Sequence, residues 1–287
     1  MNEPGLNHSI LVAGAGDVGG RAAALLAASG HSLWALRRRP VADSGDGIRW
    51  IQADLASPDT LRQLPRVSHV IFAPTPDARD EAAYRSVFVD GLRHLLAALN
   101  PETLQRVIFV SSSAVYGDHA GAWVDEDTPP APPGFNGAVL LEAEQVLASS
   151  HVPSTVLRLA GLYGPGRTQL FQALRDGKVR VPREQRTFAN RMHVDDAAAA
   201  LAHLLTMDDP DPLYVGVDDA PLAIDELYDY LAGLLGVPPP AEGPGPHGVG
   251  NKRLSNARLR AAGFQCRWPD ARAGYAALLR RAMQQLR

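Results

Sequence analysis

Short apolar runs alternate with longer amphipathic stretches through the first two thirds of the chain. The runs Ser9–Ala13, Ser32–Leu36, Ile48–Gln52, His69–Ala73, Arg106–Ser111 and Thr155–Leu159 read as strands. Helical spacing of apolar positions fills Gly19–Ser29, Thr60–Leu64, Arg79–Leu99 and Gly137–Ser149. Strands alternating with helices predict an α/β fold, a Rossmann-type doubly wound parallel sheet covered on both faces. Ligands of such sheets bind beyond the carboxyl ends of the strands. Those ends carry Gly14, Arg37, Asp54, Ala73-Pro74-Thr75 and Ser111-Ser112-Ser113.

The alternation loosens after about residue 160. Gly161–Gly166 is turn-rich, a short helix is expected near Thr168–Arg175, and a loop runs to Asn190. A strong helix covers Asp195–Leu205, with Asp195 or Asp196 as its N-cap. A strand at Leu213–Val217 and a helix at Ile224–Leu235 follow. Proline and glycine crowd Val237–Gly250, which reads as a loop or partly disordered connector. Asn256–Ala261 and Ala271–Leu286 close the chain as helices. The expected organisation is a dinucleotide-binding domain over 1–160, its sheet completed by parts of 190–217. A smaller C-terminal α/β substrate lobe, 161–287, interleaves with it and closes over the cofactor.

The segment after the first strand, Ala13-Gly14-Ala15-Gly16-Asp17-Val18-Gly19-Gly20, contains G-x-G-x-x-G between a strand and a helix. Gly14 permits the tight turn, Gly16 lets the backbone approach a pyrophosphate, and Gly19 lets helix and strand pack closely. The pyrophosphate would sit on the helix N-terminus opened by Asp17 and Val18. An NAD site places an acid about 20 residues later to hold the ribose 2′-hydroxyl. Arg37 stands there, followed by Arg38 and Arg39. A guanidinium suits the 2′-phosphate of NADP(H), so NADP is the expected cofactor. The alternatives are a site that takes both dinucleotides and a solvated charge cluster before Pro40.

Composition narrows the class. The 287 residues are 46% hydrophobic and 21% charged, with a net charge of −3. That is a globular profile without the basic excess of a nucleic-acid binder or a membrane-surface protein. The one cysteine, Cys266, excludes an internal disulfide. No apolar run is long enough to span a bilayer, and Met1–His8 lacks the pattern of a secretory signal. A cytoplasmic protein acting on a small molecule is expected.

Five segments, in order, resemble the extended short-chain dehydrogenase/reductase superfamily, the NAD(P)-dependent epimerases and dehydratases. They are Gly14–Gly19, Ala53-Asp54-Leu55, Val110-Ser111-Ser112-Ser113-Ala114-Val115-Tyr116-Gly117, Leu162-Tyr163-Gly164-Pro165-Gly166 and His193-Val194-Asp195-Asp196. The resemblance implies adenine contacts from Asp54 and Leu55, and cofactor contacts from Ala73, Pro74 and Ser111. Two departures matter. The glycine motif is the variant of the superfamily's atypical branch. The catalytic pair Tyr-x-x-x-Lys is missing: anchoring on Glu144 puts Asn136 at the tyrosine position and Leu140 at the lysine position. An amide does not titrate, and a leucine offers neither charge nor a donor.

The groups left for chemistry are Ser112, which either donates to a substrate carbonyl or, with Ser111 and Ser113, only satisfies backbone groups at the strand end and touches the nicotinamide, and Tyr116, the nearest phenol, which reads first as a turn-packing residue. His193 reads first as a satisfied histidine at a helix start; its other role, with Arg191 beside it, is to bind an anionic part of the substrate. Arg158 reads as structural. Adjacent Asp195 and Asp196 diverge on a helix, and no metal is expected. The function read from these residues is an NADP(H)-binding oxidoreductase or epimerase-like protein with a non-standard active site. A non-catalytic NADP(H)-binding redox sensor and a nucleotide-sugar epimerase or dehydratase are the alternatives. Relatives often dimerise through the helices matching Arg79–Leu99 and Gly137–Ser149. Phe88, Leu92, Leu95, Leu96 and Leu99 serve a homodimer interface or a core equally well, so the oligomeric state stays open.

Overall fold

The computed structural model describes residues 7–39, 45–245 and 250–285. Residues 1–6, and 246–249 of the proline–glycine stretch read as a connector, lie outside them. The seven strands of the main sheet are β1 (Ser9–Ala13), β2 (Ser32–Arg37), β3 (Ile48–Gln52), β4 (His69–Phe72), β5 (Arg106–Ser112), β6 (Ser154–Leu159) and β7 (Leu213–Gly216). Their order is β7-β6-β5-β4-β1-β2-β3. The pairings from β3 through β2, β1 and β4 to β5 are parallel. The chain starts at the centre, winds to one edge, and resumes on the other side of β1. The direction of winding therefore reverses between β1 and β4, where such sheets open a ligand crevice. The central strands are apolar at successive positions because helices cover both faces; Ile10–Ala13 and Val70–Phe72 are fully buried.

Helix α1 (Asp17–Ala28) buries Gly19, Ala22 and Ala23, small residues that let it lie close to the sheet, and Leu26. The helix expected over Arg79–Leu99 forms in three pieces: Glu81–Tyr84, a π-helical stretch Arg85–Asp90, and Gly91–Ala98. Asp80 caps the first by accepting from the Ala83 amide at 2.8 Å. At Gly91 a Cβ would come within 2.9 Å of the Leu55 Cβ, so this backbone approaches the β3 exit more closely than a side chain allows. Phe88, Leu92, Leu95 and Leu99 of this element are core residues. The stretch Thr60–Leu64 shrinks to a 3₁₀ turn, Pro58–Leu61. Neither Asp195 nor Asp196 caps the helix they begin. It runs from Val194 to Thr206, with both in its first turn. Asp196 instead accepts the amides of Arg267 and Trp268, each at 2.9 Å. Part of the proline–glycine stretch is ordered: Ala241–Glu242 pairs with Arg180–Val181 as short parallel strands. No helix among the described residues is long and apolar enough to cross a membrane.

Two compact units share the chain. The first comprises Met1–Val115, Phe135–Arg158 and Ala198–Leu213; the second comprises Tyr116–Gly134, Leu159–Ala197 and Tyr214–Arg287. The second thus begins earlier in sequence than the turn-rich stretch at Gly161, and the first takes back most of the helix after His193.

A buried ion pair fixes helix α2 (Phe135–Ala148) to the sheet of the first unit. Glu144 accepts from the Ser111 hydroxyl at 2.5 Å and from Arg158 at 3.1 and 2.6 Å. The two charged side chains are 9% and 6% exposed. Each carboxylate oxygen is engaged, which is the condition for a buried pair to be tolerated. Glu144→Ala strands a guanidinium in the core, and denaturant unfolding should show a loss of about 3–5 kcal/mol. Replacing both Glu144 and Arg158 with Met should restore most of it.

Candidate functional site

The exits of β1, β2, β3 and β4 enclose a cleft of about 540 Å³ in the first unit. Of the residues expected to hold a dinucleotide, Gly14, Gly16, Arg37, Arg38, Asp54, Leu55, Ala73 and Pro74 line it. Gly14 has φ +95°, and a Cβ there would lie 2.5 Å from the Pro74 backbone. At Gly19 a Cβ would lie 2.4 Å from the Gly14 carbonyl oxygen. The fold itself demands both glycines. Gly16 is different: nothing lies within 4 Å of a Cβ there, so its bareness leaves the cleft floor open to a ligand. It is also the N-cap of α1 and offers no side-chain cap. The first turn of a helix presents backbone amides that the helix itself does not bond, which makes this end suited to a diphosphate. The Asp17 side chain turns aside to Arg21 at 2.8 Å. These features fit a dinucleotide.

Three arginines stand at the far end of the cleft. The Arg37 guanidinium stacks on Trp50, 5.4 Å from the ring centroid. Arg38 forms a two-pronged ion pair with Asp77, beyond the β4 exit. Arg39 completes the lining on that side. Asp54 holds its own turn, accepting from the Ala56 amide at 3.0 Å.

The serine-rich end of β5 divides its labour. The Ser111 hydroxyl is committed to Glu144, so it is an anchor of α2 and does not line the cleft. Ser112 accepts from the Ala114 amide at 3.2 Å, which leaves its own hydrogen for another acceptor. Asn136 is half-buried in the first turn of α2, and Leu140 is buried. In the second unit, Tyr116 is fully buried and its hydroxyl donates to the Asp125 carbonyl at 2.8 Å. That is the packing role; its proton is engaged by the backbone.

His193 and Arg191, read as substrate contacts, are also built into the second unit. His193 is 2% exposed and accepts the Asp195 amide on Nδ1 at 3.1 Å. Its ring packs edge-on against Tyr163. Arg191 donates to the Tyr228 hydroxyl and the Asn190 carbonyl, both at 3.1 Å. Two buried titratable groups escaped the sequence reading. Neither carboxylate oxygen of Asp218 has a hydrogen-bond partner at normal geometry among the described residues. Burial pushes its carboxyl up to about 8, against the nearby Ala220 and Ala271 amides and the Arg191 charge. Lys252 is 1% exposed, and its Nζ reaches the Gly117 carbonyl at 3.4 Å. Burial lowers its ammonium to about 8, opposed by Asp118. The signal for Lys252 was compositional: it and exposed Lys178 are the chain's two lysines.

Residues 10–216 match the NAD dependent epimerase/dehydratase family. The chain belongs to that family. A solved structure from Methylobacillus flagellatus, assigned as an NAD-dependent epimerase/dehydratase, is 39% identical. It covers 97% of this chain and 99% of that one with a TM-score of 0.82. The Escherichia coli K12 protein YeeZ is 32% identical over 201 residues, 68% of this chain and 70% of YeeZ. A 3-diazoavenalumate denitrifying reductase from a Streptomyces species is 30% identical over 254 residues, 80% of this chain and 83% of the reductase. In this member of the epimerase/dehydratase family, the glycine-rich cleft lies at the strand exits of the main sheet. These relatives lend no support to the redox-sensor alternative.

The two buried groups give opposite pH signatures. Asp218 holds a proton in the folded state that an unfolded carboxyl, near 3.8, has lost. Its contribution to stability is therefore full below pH ~4 and falls as pH rises to about 8, by at most ~1.4 kcal/mol per unit. Asp218→Asn should flatten this fall in urea unfolding at pH 5 and 7.5; an unchanged slope would mean that the carboxyl is ionised in the fold. Selective isotope labelling of lysine should give two side-chain NMR signals, with Lys252 titrating near 8 and Lys178, raised by its bond to Asp176, above 10.5. Lys252→Met identifies the first signal.

Proposed function

We propose that this protein is an NADP(H)-dependent oxidoreductase of the family that acts on a small molecule without the Tyr-x-x-x-Lys pair. The observation that carries the cofactor choice is the guanidinium set Arg37, Arg38 and Arg39 on the cleft wall, where an NAD site would carry an acid at the end of β2. Arg37 is held on Trp50, which limits its freedom before a ligand arrives. Bound NADP(H) supplies the hydride. The chain's part is orientation: the open backbone at Gly16 and the α1 amides hold the diphosphate, and the arginines hold the 2′-phosphate.

The reductase reading, rather than epimerisation, is favoured by the absence of a titrating dyad. An epimerase must take a proton from an alcohol and return it, which needs a group that changes charge. A reductase needs only a donor to the oxygen or nitrogen that receives the hydride's electrons. The Ser112 hydroxyl, with its hydrogen left over, is the candidate donor, recharged from water. The similarity to a denitrifying reductase over 80% of this chain points the same way. The substrate is a small molecule of unassigned class, and a cytoplasmic site of action follows from NADPH as reductant.

Calorimetric titration with NADPH, NADP, NADH and NAD tests the cofactor reading. The phosphorylated pair should bind at least ~10-fold more tightly, the equivalent of one charge-assisted contact. Arg37→Asp should lose that margin and tighten NADH. Equal affinities in the unmodified protein would overturn NADP preference.

A further inference from the structure

The Arg38–Asp77 pair spans the cleft at the end where the 2′-phosphate would lie. Arg38 follows β2 and Asp77 follows β4, the two strands that flank β1 in the sheet. Both residues line the same cleft. The guanidinium presents both terminal nitrogens to both carboxylate oxygens, Nη2 to Oδ1 at 2.5 Å. This is the fork-to-fork geometry with which arginine also grips a phosphate. One guanidinium cannot offer the same edge to a carboxylate and to a phosphate at once.

The pair is also easy to open. The side chains are 43% and 69% exposed, so water and salt screen the attraction. Asp77 has other positive company in Arg39, and Arg38 feels Asp54 as well. A phosphate dianion carries more charge than Asp77, so it can displace the carboxylate where a ribose hydroxyl cannot.

Resting on the NADP reading, we propose that Asp77 is a latch on Arg38 that competes with the 2′-phosphate and sets how strongly the cleft prefers the phosphorylated dinucleotide. Without a ligand, the latch joins the β2 and β4 exits across the cleft mouth. NADP(H) releases Asp77 and takes Arg38. NAD(H), lacking the phosphate, leaves the latch shut and gains nothing from the arginine. Asp77 is thus a specificity-determining residue that lowers affinity for the preferred cofactor.

Asp77→Asn, Arg38→Ala and the double variant decide this, with NADPH, NADH, adenosine 2′,5′-bisphosphate and AMP as probes in calorimetry. The Asn variant keeps the side-chain shape and removes the charge, and thermal unfolding checks that the fold is intact. The expected result is NADPH and the bisphosphate binding about three- to tenfold more tightly to Asp77→Asn, with NADH and AMP unchanged. In the Arg38→Ala background the same substitution should have a smaller effect, because the competed group is gone. Weaker bisphosphate binding to Asp77→Asn would overturn the latch, making Asp77 a support that presents Arg38. Equal changes for all four probes, or no change for any, would also overturn it. The two readings fail separately. If the unmodified protein binds NADPH no better than NADH, NADP preference falls whatever Asp77 does. If it prefers NADPH and Asp77→Asn changes nothing, only the latch falls.

Discussion

The close approach of Gly14 to Pro74 is the contact on which the cleft depends. The β1 ladder continues one bond past the strands, with the Ala73 amide donating to the Ala13 carbonyl at 2.8 Å. Pro74 then ends it, because proline has no amide to give. Gly14 turns away with positive φ against the Pro74 backbone, and its carbonyl oxygen lies where a Gly19 Cβ would be. Two backbone contacts, each closed to any side chain, therefore set the distance between the β1 exit, the β4 exit and the start of α1. Everything in the glycine-rich cleft is placed by that spacing: the open floor at Gly16, the α1 amides, and the gap that Arg38 and Asp77 bridge.

Sequence patterning reached the sheet well because its strands are short apolar runs and their ends fall at glycine, arginine and serine. The seven strands lie within a residue or two of the apolar runs, since a strand buried on both faces has no reason to carry polar residues until it leaves the sheet. The departures have local causes. Arg79–Leu99 has helical periodicity throughout, and periodicity does not reveal the π-helical stretch at Arg85–Asp90. Asp195 and Asp196 have the chemistry of caps, but Asp196 is drawn to two amides more than 70 residues away. Such long-range partners leave no trace in local spacing.

The same limit separates the glycine-rich cleft from the rest. The residues that line the cleft sit at strand exits, and topology gathers strand exits in one place, so a one-dimensional reading could collect them. Asp77 shares that property but comes three residues after Pro74, where nothing in the spacing marks it. Ser111, Tyr116, His193 and Arg191 were candidates because they are polar residues in suggestive segments. The structure engages each with a neighbour: Glu144, the Asp125 carbonyl, the Asp195 amide and the Tyr228 hydroxyl. A polar residue in an apolar context must find a partner, and the partner here is usually the protein itself.

That distinction bears on the proposed reading of a chain that carries no Tyr-x-x-x-Lys. In Tyr-x-x-x-Lys the helix supplies both the proton and the charge that tunes it. Helix α2, which the resemblance sets at that place, carries Asn136 and Leu140, and its one buried acid, Glu144, is saturated by Ser111 and Arg158. Helix α2 has become an anchor. Burial moves two ionisations of the second unit toward neutrality, those of Asp218 and Lys252. Arginine could not replace Lys252 in that respect, since a guanidinium stays charged when buried and an ammonium does not. On the proposed reading, a reaction in which the cofactor brings the electrons asks this chain for little acid–base work.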